Sequence, residues 1–154
     1  MNIDISKYSL NNFLSKNEPE LNLSLITAGS RNYNNEEEFN RVMDQIVDWF
    51  NGVTIISGMA KGPDRFGIMY HSKNRKTRLV KHPAKWKVIE GVDQKYIKEN
   101  KYGKYNANAG MERNQKMLDE ANALVAFWDG KSSGTRDIIS RSIKAGILIC
   151  IIKY

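Results

Sequence analysis

A single α/β domain of Rossmann-like type is the fold this sequence predicts: a three-layer sandwich around a mainly parallel sheet of about five strands. Three observations predict it. Short apolar segments alternate with amphipathic ones, most of the apolar segments stop at a turn rich in glycine or serine, and 154 residues suit one core.

The elements follow in order. Residues 1–20 read as an N-terminal leader carrying a short helix at most, and residues 21–154 as the domain proper. Leu21–Ala28 is β-rich and ends at Gly29-Ser30-Arg31. Asn34-Asn35 can cap a helix whose first turn, Glu36-Glu37-Glu38, suits the positive end of its dipole. Phe39, Val42, Met43, Ile46, Val47, Trp49 and Phe50 give that helix an apolar stripe. After Asn51-Gly52, Val53–Ile56 forms a second strand, and a helix from about Pro63 to Lys73 starts on proline. Thr77–Val80 is the third strand, stopped by His82-Pro83. Residues 84–105 form a polar, basic excursion above the sheet, with room for a short helix. Asn106–Glu120 is then a helix, Ala123–Trp128 a strand, Gly134–Ala145 a helix and Ile147–Ile152 the last strand.

Composition narrows the function classes. With 41% hydrophobic and 27% charged residues the chain is an ordinary soluble globule, and no apolar run suggests a membrane span or a signal peptide. One cysteine, Cys150, lies in an apolar run and cannot form an internal disulfide, which points to the cytoplasm. The net charge of +7 is uneven. Residues 1–60 hold 4 Lys/Arg against 8 Asp/Glu, whereas residues 61–104 hold 13 against 4. An anion is drawn to the middle of the chain. His71 and His82 lack acidic or cysteine neighbours at ligand spacing, so neither a metal nor a cofactor is expected.

In open parallel sheets, ligands sit outside the carboxyl ends of the strands. Three strand-to-helix turns there are rich in small residues. The first contains Gly29, Ser30 and Arg31; the second Ser57, Gly58, Lys61, Gly62, Asp64 and Arg65; the third Asp129, Gly130, Ser132, Ser133, Gly134 and Thr135. Glycine and serine let backbone N–H groups approach an anion, and a helix N-terminus favours it further. Arg31, Lys61, Arg65 and Arg113 add charge. The turns therefore predict a phosphate site, although neither the Walker loop nor the dinucleotide fingerprint is present.

In combination and order, ITAGSRNY, ISGMAKGPDRFG, HPAKW, NAGMERNQKM and ALVAFWDGKSSGT resemble the YspA-like branch of the SLOG superfamily, the group that joins the Smf/DprA and LOG proteins. The resemblance covers about Leu23 to Ile151. It implies a Rossmann-like domain, a nucleotide-derived ligand over the strand ends, frequent self-association, and occurrence in bacteria and their phages. LOG enzymes hydrolyse the N-glycosidic bond of nucleoside 5′-monophosphates. Their arginine and methionine four residues apart match Arg113 and Met117, and Asn114 beside them joins the expected ligand-binding set. Their glycine-threonine pair matches Gly134-Thr135, but the preceding loop lacks its Pro-Gly-Gly, and Ile138 stands where they carry glutamate.

Cleavage of a glycosidic bond needs a carboxylate. Glu112, Asp64 and Asp129 are the substitutes, with Arg113 and Glu112 as the catalytic pair if the chain is an enzyme. Each also has a structural reading: Glu112 as a first-turn helix carboxylate, Asp64 as a cap, Asp129 as a loop brace. Trp86, Tyr102, Tyr105 and Trp128 could stack on a base or simply pack. The leading expectation is a module that senses or sequesters a nucleotide-derived molecule, with self-association through Trp49, Phe50 and the aromatic excursion. A nucleotide N-glycosidase is the alternative. Nucleic acid bound through residues 61–104 is a weaker third reading, and no membrane partner is expected.

Overall fold

The computed structural model describes residues 2–154. After a 3₁₀ turn at Ile5–Tyr8, the chain forms α1 (Leu10–Ser15), β1 (Asn22–Gly29), α2 (Glu36–Trp49), β2 (Gly52–Ser57), α3 (Pro63–Lys73) and β3 (Thr77–Lys81). It continues through β4 (Ile97–Asn100), β5 (Gly103–Asn106), α4 (Ala109–Glu120), β6 (Ala123–Trp128), α5 (Ser133–Ala145) and β7 (Leu148–Lys153). Five strands make one parallel sheet in the order β3-β2-β1-β6-β7. This is an α/β Rossmann-like sandwich.

Period-2 alternation sorts the strand residues between two cores. Leu23 and Leu25 of β1, Val53 and Ile55 of β2, and Val125 and Phe127 of β6 face α2 and α3. Ile26, Ile56, Leu124 and Ala126 face the other way, toward Met117 of α4 and Ile138 and Ile139 of α5. Burial on both faces explains why β6 reads as six consecutive apolar residues. Helix α2 is capped by Asn35, whose Oδ1 accepts from the Glu38 amide at 3.1 Å, and it buries the expected stripe from Phe39 to Val47. Phe50, expected on a surface, packs edge-on against Phe13 and is buried, so it offers nothing to a partner. Cys150 is buried in β7, and burial pushes its thiol up to about 12.

Helix α3 rides very close to β1. A methyl group at Gly67 would collide with Thr27 Oγ1 and stand 3.2 Å from Ile55 Cγ2, so the helix needs a residue without Cβ there. Gly67→Ala is expected to cost about 1–3 kcal/mol through overpacking. A urea melt would show this as a lower midpoint at unchanged slope.

Two segments differ from a plain reading of their composition. The 3₁₀ turn and α1 pack along β7: Phe13 is buried in one core, while Ile3, Ile5 and Tyr8 lean on the other. The excursion after β3 carries a hairpin, β4 against β5, besides one 3₁₀ turn at Gln94–Tyr96. Gly103 holds its turn at φ +110°, and main-chain bonds from Asn106 to Trp86 and from Ala107 to Tyr96 tie the base of the hairpin to the preceding part of the excursion.

Candidate functional site

The strand order reverses between β1 and β6. After β1 the chain steps outward through β2 to β3, then returns to lay β6 on the other flank of β1. The turns after these two strands must diverge, and a crevice opens between them. Here the two turns are laced together. Ser30 donates its amide to the Phe127 carbonyl at 2.9 Å, and its Oγ accepts from the Asp129 amide at 3.2 Å. Above them lies a cavity of about 520 Å³.

Of the residues expected to bind a ligand, Gly29, Ser30, Arg31, Asp64, Asn114, Asp129, Ser132, Ser133, Gly134 and Thr135 line this cavity together, as does Arg113. Ser57, Gly58, Lys61, Gly62, Arg65 and Gly130 stand outside its lining. Lys61 and Arg65 point to solvent. Ser57 is fully buried, donating to the Asp64 carbonyl at 2.7 Å and accepting from the Met59 amide. It shapes the second turn, which Met59 passes at φ +64°.

Gly58 acts through its neighbours. Its carbonyl accepts from Arg113 Nη1 at 2.6 Å. A Cβ there would fall 2.5 Å from Arg113 Nη1 and 2.7 Å from Asp64 Oδ2, so the lack of a side chain is what lets these two groups face the cavity. Arg113 Nε donates to Asn114 Oδ1 at 3.1 Å, and Asn114 Nδ2 donates to the Gly134 carbonyl and to Asp137 Oδ2. The guanidinium is thus braced by the second turn and, through Asn114, by the start of α5.

The third turn is self-braced. Asp129 Oδ1 accepts from the amides of Lys131 and Ser132, both at 2.8 Å, and these bonds hold its carboxyl below the usual range. Ser132 Oγ caps the Thr135 amide. Of the amides of Ser132, Ser133, Gly134 and Thr135 at the start of α5, those of Ser132 and Thr135 therefore have internal acceptors. Ser133 and Gly134 precede the first bond of the helical ladder, Arg136 to Ser132, so the ladder takes up neither N–H, and both residues line the cavity. Trp128 is buried and supports this turn, donating Nε1 to the Ser132 carbonyl at 3.2 Å beneath the Arg136 guanidinium.

The carboxylates separate sharply. Glu112 is exposed, lies outside the cavity lining and accepts from Asn106 Nδ2, which suits a first-turn helix carboxylate. Asp137 is held by Asn114 and by Arg141 Nε at 2.9 Å. Ile138, 1% exposed, lines the cavity floor and brings no charge. Asp64 alone is both buried and in the cavity. Burial raises its carboxyl to about 6 against the pull of Arg113 and the Ala60 amide. Burial also lowers Arg113, an effect that Asp64 opposes.

Residues outside the expected ligand-binding set also line the wall: Ala28, Asn32, Ala60, Ala107, Gly110 and Met111. Comparison of the chain with protein-family models, with curated proteins and with solved structures finds no match.

Proposed function

We propose that this domain binds a phosphate-bearing, nucleotide-derived small molecule in the cavity above β1 and β6, and holds it without turning it over. The observation that carries the reading is convergence: the braced Arg113 guanidinium and the open amides of Ser133 and Gly134 line one cavity at the sheet's switch point. Charge-assisted and dipolar donors of this kind suit a phosphate. Trp86, 38% exposed at the rim, is placed to cover a ring. The resemblance to the SLOG superfamily supports the same ligand class. Ile138 in place of the LOG glutamate supports holding over hydrolysis.

One observation favours a second reading, hydrolysis of an N-glycosidic bond: Asp64, inside the cavity with its carboxyl near 6, could give a proton to a leaving base. The two readings part in one experiment. The pure protein is incubated with the common nucleoside 5′-monophosphates, and bound ligand and products are read by mass spectrometry. Retained nucleotide without free base is expected. Steady release of base would establish the enzyme, and absence of any binding would remove both.

Gly134→Ala tests the amide contact. Nothing lies within 4 Å of a Cβ at this position, so the fold is expected to hold or gain slightly. The methyl group would crowd an anion on the Gly134 amide and weaken phosphate binding about three- to tenfold, the worth of one hydrogen bond. Calorimetry with the retained nucleotide reads it directly. Self-association belongs to the same proposal, and a monomer mass in light scattering at micromolar protein would contradict it.

A further inference from the structure

Beyond Trp86 a second cavity of about 450 Å³ opens, and two residues, Arg31 and Trp86, line both chambers. Its other walls come from the hairpin and its approach, with Lys87, Tyr102, Lys104 and Tyr105 contributing cations and rings. No carboxylate lines it. Trp86 is exposed but not loose. Its ring edge lies against α4, where a Cβ on Gly110 would touch Cη2 at 3.4 Å, and its carbonyl accepts from the Asn106 amide at 2.6 Å. A fixed indole thus divides two chambers, each large enough for an ordinary ligand group.

The chambers differ in chemistry in a way that suggests order. The first offers helix-end amides and Arg113, which suit a phosphate. The second alternates rings with cations, a pattern that takes up stacked heterocycles beside a charged backbone. Arg31 stands at the junction, where an anionic bridge between two rings would lie.

Building on the phosphate reading above, we propose that the two chambers form one site and that its ligand is a dinucleotide: two ring-bearing halves joined through phosphate. One half lies over β1 and β6, the bridge passes Arg31, and the second ring rests between Trp86 and Tyr105. A mononucleotide fills only the first chamber.

The test is calorimetry with the four ribonucleoside 5′-monophosphates, the four symmetric pyrophosphate-bridged dinucleotides and the matching 3′,5′-linked dinucleotides. At least one dinucleotide is expected to bind tenfold or more tightly than its mononucleotide, and the better linkage identifies the bridge. Lys104→Ala with Tyr105→Ala is expected to erase that advantage and leave mononucleotide affinity unchanged. Should this double variant fail to fold, Lys87→Ala with Tyr102→Ala, both outside the β4–β5 ladder, makes the same comparison. Equal affinities for one-ring and two-ring ligands, or an advantage that survives in the folded variant, would overturn the two-chamber proposal and leave the phosphate reading standing. Binding of neither class would overturn both.

Discussion

Arg113→Ala is expected to weaken nucleotide binding by about 1.5–3 kcal/mol, roughly 10- to 150-fold. It is also expected to destabilise the fold above pH 6. The binding effect follows from position: the guanidinium is anchored on the Gly58 carbonyl and on Asn114, so it meets a phosphate already oriented. From sequence alone, an arginine facing a polar cleft could be removed without harm to the fold. The structure gives it a second duty, because its charge is what draws the buried Asp64 carboxyl down toward its ordinary value. Without it the carboxylate is left uncompensated at neutral pH, a penalty of about 1–3 kcal/mol for a buried polar group. At pH 5 the variant's Asp64 is protonated and the stability loss should shrink. Calorimetry at pH 7.5 and melting curves at pH 5 and 7.5 separate the two effects. Unchanged affinity would remove Arg113 from the site. A stability loss equal at both pH values would remove its link to Asp64.

What was legible in the sequence was what depends on burial. Ala123–Trp128 reads as a strand because the sheet buries both its faces, and Pro63 marks the first turn of α3 because proline fits there without a lost bond. The turns after β1 and β6 were marked by small residues, and topology then made them neighbours. The hairpin was not legible. Ile97–Asn100 is largely exposed and Gly103–Asn106 buries only the polar Asn106, so no alternation of apolar and polar residues marks them, and Gly103 was the only clear sign of a turn. The wall residues Ala60, Ala107, Gly110 and Met111 were silent for another reason: they matter by where the backbone brings them, not by their chemistry. Glu112 shows the converse. Adjacency to Arg113 suggested a shared site, but one residue along a helix turns a side chain by about 100°. Arg113 reaches the cavity and Glu112 reaches Asn106.

Asp64→Asn is expected to remove a pH dependence of stability that the wild-type domain carries between about pH 4 and 6. Burial pushes the Asp64 carboxyl up to about 6, well above the ordinary carboxylate range, because it disfavours the charge more than Arg113 and the Ala60 amide favour it. Through that window the folded state holds a proton that the unfolded chain has released, so stability falls as pH rises, by about 3 kcal/mol in all, and is level above it. Asparagine has no charge to bury. The variant should therefore lack the slope and match or exceed the wild type at pH 7.5. At pH 4 the order should narrow or reverse, since the wild-type carboxyl is then neutral as well. Denaturant midpoints at half-unit steps from pH 4 to 8 measure this, and parallel curves for the two proteins would refute the burial argument. The same substitution bears on the cavity. Removing a carboxylate beside Arg113 takes away repulsion toward an incoming phosphate, so nucleotide affinity at pH 7.5 should rise. If Asp64 instead protonated a leaving base, the variant would bind nucleotide and lose base release by about 10²–10⁴-fold. Tighter binding with no release from either protein is the outcome expected of a domain that holds its ligand.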